Sequence, residues 1–96
     1  LRPKLIKLAP KFLCQSELEM AGDNIRNLAI MWGAKEALYK LHGRKKLIFK
    51  ENLRVEAIDF NAPQGVFQAK IIEQGREESI SMKYFSSDEH VVVIGC

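Results

Sequence analysis

Apolar positions recur with two different periods, one in each half of the chain. From Lys4 to Leu13, the residues Leu5, Ile6, Leu8 and Ala9 fall at helical spacing among lysines, and Pro10 keeps that helix short or broken. Ser16 has the character of an N-cap. Glu17 and Glu19 follow it in a first turn where carboxylates suit the helix dipole, and the helix should stop near Gly22. Asn24 is placed to cap the longest periodic segment, Ile25 to Leu41. There Ile25, Leu28, Ala29, Trp32 and Tyr39 repeat at intervals of three, four and seven, and Met31 and Leu38 widen the stripe. The stripe makes Trp32 a core residue. Gly43 reads as the residue just past this helix, with Lys40, Arg44, Lys45 and Lys46 at its negative end.

Beyond Lys46 the period becomes two. Leu53, Val55 and Ala57 alternate with Arg54 and Glu56, and residues 61–65 (Asn-Ala-Pro-Gln-Gly) supply a turn. Val66 to Ile72 reads as a second strand, Gln74-Gly75 turns again, and Ser79 to Phe85 alternates Ile80, Met82 and Tyr84 with polar residues. Ser86 to Glu89 makes a last turn, and His90 to Ile94 is a strand too apolar to be half-exposed. Short links favour an antiparallel meander. Helices first and strands second predict an α+β fold, a long central helix packed on an antiparallel sheet of three to four strands. Residues 1–96 form a single domain with no internal repeat.

Composition adds two facts. The chain is 47% hydrophobic and 28% charged, ordinary for a globular protein, and no apolar run reaches membrane-spanning length. Cys14 and Cys96 have no CxxC or Cys/His spacing, so free thiols in a reducing cytoplasm are expected. The charge is split. Residues 1–50 carry eleven Lys and Arg against four acids, and residues 51–96 carry four against eight. The first half therefore suits an anionic partner.

Candidate chemistry lies in Trp32-Gly-Ala-Lys35-Glu36-Ala-Leu-Tyr-Lys40. On a helix Glu36 and Lys40 share a face one turn apart, which can hold a hard cation and the phosphate it neutralises, or can be an ordinary surface ion pair. Trp32, Lys35, Glu36, Ala37 and Lys40 resemble the WxxKE(A/S)xxK signature of the 4′-phosphopantetheinyl transferase superfamily. Phe12-Leu13-Cys14-Gln15-Ser16-Glu17 is similar to the family's FFSxxE stretch. The resemblance implies Mg²⁺-dependent transfer of the phosphopantetheine arm of coenzyme A to a serine of an acyl or peptidyl carrier protein, in a bacterial cytoplasm. Under it Glu36 matches a metal-binding acid, Lys40 a lysine at the coenzyme A phosphates, and Glu17 an acid that assists proton removal. Lys35 and Arg44 stand as further coenzyme A contacts.

The chain departs from the family at one place. The other metal acids of the family lie on an upstream strand of the form G-(I/V)-D-x-E, which is missing here. Residues 1–96 thus resemble the second lobe of a larger two-lobed member, with one acid of the metal set. An unpaired lobe is expected to form a homodimer. A binding domain whose basic helical face docks an acidic protein or nucleic acid is the competing reading. Against nucleic acid, no RNP consensus is present and the strand aromatics read as sheet packing.

Overall fold

The period-two half builds a four-stranded antiparallel sheet in the order β1-β2-β3-β4, from β1 (Leu53–Val55), β2 (Gln64–Glu73), β3 (Arg76–Ser86) and β4 (Val91–Gly95). The computed structural model describes residues 4–42, 47–88 and 90–95. Before the sheet come α1 (Lys4–Phe12), α2 (Gln15–Ala21), α3 (Ile25–His42) and the short α4 (Phe49–Asn52). The expected α+β architecture is present, with α3 laid across the inner face of the sheet.

Alternation decides which side of each strand is dry. Leu53 and Val55, then Phe67, Ala69 and Ile71, then Met82 and Tyr84 are all buried. The register aligns them, pairing Leu53 with Ile71, Val55 with Ala69 and Phe67 with Met82. The Gln74-Gly75 turn forms where expected, both residues having positive φ (51° and 77°), as a two-residue hairpin requires. Arg26 pins the 56–63 connection to α3 by donating to the carbonyls of Phe60 and Ala62 and to Ser86 Oγ.

The helical half follows its local signals with corrections. Asn24 Oδ1 accepts the Asn27 N–H at 3.0 Å, the expected cap of α3. The cap of α2 is Cys14 and not Ser16. Cys14 has extended backbone (φ −79°, ψ 174°), and its N–H donates to Glu17 at 2.9 Å, so Glu17 closes the first turn from the N3 position. Gly22 ends that helix with φ 64° and donates its N–H to the Leu18 carbonyl. In α1 only Leu5, Ala9 and Phe12, one turn apart, meet the core, whereas Ile6 and Leu8 are exposed.

Three further expectations are corrected. The first strand ends at Val55, short of Ala57. It is preceded by α4, held by Asn52, whose Oδ1 accepts the Ile48 N–H and whose Nδ2 donates to the Ile72 carbonyl. And β4 is half-exposed, because it is the edge of a sheet covered by α3 on one face only. Gly33 permits that close cover, since a Cβ there would sit 2.9 Å from Val93 Cγ2. The expected Gly43 terminus, Glu89 and Cys96 lie outside the described residues.

Candidate functional site

Between α1, α3, α4 and the start of β4 runs a groove of about 1080 Å³. Its floor is apolar, made by Leu5, Leu8, Phe12, Ala29, Trp32, Phe49 and Val91. Lys4 and Lys11 stand on the α1 side, His90 on the β4 side and Glu36 on α3.

Trp32 belongs to this wall. It is 37% exposed, so the expectation of a core position is corrected. Met31, one residue earlier, takes the buried place. The indole meets the Phe12 ring edge-on at 5.0 Å and 71°, and the Phe49 ring at 5.4 Å, which fixes its orientation.

Glu36 is half-buried on the groove, and Lys40 is exposed one turn further along α3. Neither makes a hydrogen bond or ion pair among the described residues. They are not joined as a surface pair, so the carboxylate and the ammonium both remain available to a ligand.

Lys35 and Glu17 have the opposite character. Both are fully buried and bonded to each other, Lys35 Nζ to Glu17 Oε1 at 2.9 Å. Lys35 Nζ also donates to the Phe49 carbonyl at 2.7 Å and to the Leu53 carbonyl. Its three N–H groups are therefore spent inside the protein. Burial holds its pKa below the usual 10.5, and the charge of Glu17 opposes that shift. Glu17 Oε1 accepts from Cys14 N–H as well, and Oε2 accepts the Val55 N–H at 2.7 Å. These contacts bear on two expectations. Lys35 has no donor left for a coenzyme A phosphate, and Glu17 is sealed from the groove, with both oxygens engaged, where a base would need access. Together the pair joins α2, α3, α4 and β1. Arg44, the remaining expected contact, lies outside the described residues.

Sequence reasoning missed the α1 wall and His90. The signal for α1 was the exposed Leu8 between Lys4 and Lys11, a basic helix with apolar residues left over; for His90 there was none beyond its place before β4. A divalent cation finds few ligands among the described residues. Among the described residues no three His, Cys, Asp or Glu side chains come together, and Glu36 is a lone carboxylate. Magnesium is held by one or two carboxylates with substrate phosphates and water, so a closed metal site is not built here. No helix among the described residues is long and apolar enough to cross a membrane.

Comparison with known proteins gives one match. Searches among curated proteins and solved structures find none, whereas the model of the 4′-phosphopantetheinyl transferase superfamily matches residues 1–94. With that match over nearly its whole length, and with helices packed on a four-stranded antiparallel sheet, the chain belongs to the 4′-phosphopantetheinyl transferase superfamily.

Proposed function

We propose that the chain carries part of the site that transfers the 4′-phosphopantetheine arm of coenzyme A to a serine of an acyl or peptidyl carrier protein in the cytoplasm. The observation that supports this is the free carboxylate of Glu36 at the groove, one turn from the free ammonium of Lys40. In such a transfer a new serine O–P bond forms and a diphosphate P–O bond breaks, and negative charge grows on the phosphate oxygens. Lys40 lies where it can stabilise that charge. Glu36 is the carboxylate this chain offers toward a cation on the diphosphate. The family's other acids would come from residues outside the chain, which acts as the second lobe of a larger enzyme.

Glu36→Gln tests the reading in the complete enzyme. The variant keeps the shape of a side chain that has no partner among the described residues, so the melting temperature should hardly move while carrier-protein modification falls nearly to zero. Modification at the wild-type rate would refute the role of Glu36.

A further inference from the structure

The groove wall contributed by α4 stands on very little core. The helix is four residues long and none of them is fully buried. Phe49, half-buried, is its apolar anchor, and the same residue lines the groove. In so short a helix the carbonyls from Phe49 onward are all terminal ones, without a donor inside the helix. Two polar side chains supply what packing does not. Lys35 Nζ donates to the Phe49 carbonyl at 2.7 Å, and Asn52 Nδ2 donates to the Ile72 carbonyl at 2.8 Å.

Lys35 comes from the helix that forms another wall of the same groove. Trp32 and Glu36, one turn apart on α3, line the groove, while Lys35 is buried beneath them. Its ammonium ties α3 to α4 and to the start of β1, with the Glu17 carboxylate beside it at 2.9 Å. The rings follow the spacing that this tie sets, Phe49 lying 5.4 Å from Trp32 and 5.4 Å from Tyr39. Stability alone does not account for a buried ion pair here. Apolar side chains of similar volume hold a core as well or better, because the pair has been stripped of water. What they lack is a directed bond to one carbonyl.

We propose that Lys35 is a positioning residue: its bond to the Phe49 carbonyl holds the aromatic wall of the groove at a fixed distance from Glu36, and Glu17 is the counter-charge that lets an ammonium do this in the interior. The effect on α4 is independent of what the groove binds. The effect on rate rests on the groove being the transfer site.

Lys35→Met alone leaves Glu17 charged in the interior and is a poor test, because it can unfold the protein. Glu17→Gln/Lys35→Met removes the tie with no charge buried and no change in net charge. In the complete enzyme, well below the melting temperature of this variant, two readouts separate positioning from stability. The Glu51 and Asn52 amides, which donate to the Ile48 carbonyl within α4, should exchange with solvent about tenfold faster or more, the effect of one lost charge-assisted hydrogen bond. Amides of the β2–β3 ladder should keep wild-type protection. In the same folded sample kcat/KM for carrier-protein modification should fall about tenfold, since small misplacements of binding groups are costly to rate. Wild-type exchange at α4 in the folded double variant would overturn the proposal, as would a wild-type rate. A double variant that does not fold would show that the pair serves stability, and would overturn it too. If Glu36→Gln keeps the wild-type rate, the reading of the transfer site fails instead, and exchange at α4 still decides whether Lys35 positions the wall.

Discussion

Lys35→Met removes an ammonium from the interior of α3 and leaves an unbranched side chain of similar length in its place. Glu17 then holds its charge where no surface is exposed, and the carbonyls of Phe49 and Leu53 lose their donor. The N–H groups of Cys14 and Val55 still point at the carboxylate, but dipoles do not neutralise it. Removing one partner of a buried ion pair costs about 3–5 kcal/mol, against a total of about 5–15 kcal/mol for a domain of this kind. The variant should be folded at room temperature only marginally, or not at all in a weakly stable background. In urea, with a slope of about 2 kcal/mol/M, the midpoint should fall by roughly 1.5–2.5 M. Trp32 fluorescence and far-ultraviolet circular dichroism report the same transition from the groove and from the backbone.

A second variant separates charge from packing. In Glu17→Gln/Lys35→Met no charge is buried, and the glutamine oxygen can still accept from Cys14 and Val55. More than half of the lost stability should return, because a buried pair replaced as a unit is often close to neutral. The double-mutant cycle must then show strong coupling. A loss below about 1 kcal/mol for Lys35→Met, the size expected of an exposed pair, would refute the buried-pair account. So would a double variant as unstable as the sum of the two single ones.

Two further outcomes follow from the same helix. Lys40→Ala should lower kcat/KM for coenzyme A by about 10²-fold, as loss of one charge-stabilising donor does, with denaturant melts unchanged because the side chain is exposed and unpaired; a loss seen only as unfolding would contradict it. The depressed pKa of Lys35 predicts a pH dependence. Between that lowered value and 10.5 the unfolded chain binds more protons at this residue than the folded one, so the stability contributed here rises with pH across that window and is flat below it. The gap between wild type and Lys35→Met in urea midpoints should widen as pH climbs toward 10.5, and a narrowing gap would be the wrong sign.

Legibility in the sequence followed the range of the interaction. Asn24 was readable as a cap because its partner, the Asn27 N–H, is three residues away. The Gln74-Gly75 turn was readable because the two strands it joins alternate cleanly on either side. Ser16 reads as the cap because hydroxyls are common there, while the closing bond comes from Glu17, which reaches back to the backbone N–H of Cys14 three residues earlier. Lys35 could not be read as buried. Its partners are Glu17 and two backbone carbonyls 14 and 18 residues away, and no spacing rule encodes them. The run Val91–Ile94 looks alike in a central strand and in an edge strand; only the order of the sheet distinguishes them.

The contrast between Lys35 and Glu36 comes from helix geometry. Consecutive residues on an α-helix point about 100° apart, so one can be locked in the interior while the next faces the groove. Locking Lys35 fixes the backbone of Glu36. The buried ammonium holds α3 to α2 through Glu17, and to the α4–β1 corner through the Phe49 and Leu53 carbonyls, and Phe49 in turn supports the Trp32 and Tyr39 rings. Glu36 therefore has its Cα held by a network in which it takes no part. Only its side-chain torsions remain free, and among the described residues its carboxylate carries no internal bond that a ligand would have to break. The desolvation cost of burying Lys35 and Glu17 falls on the interior side of α3, and the Glu36 carboxylate on the groove stays unpaired among the described residues.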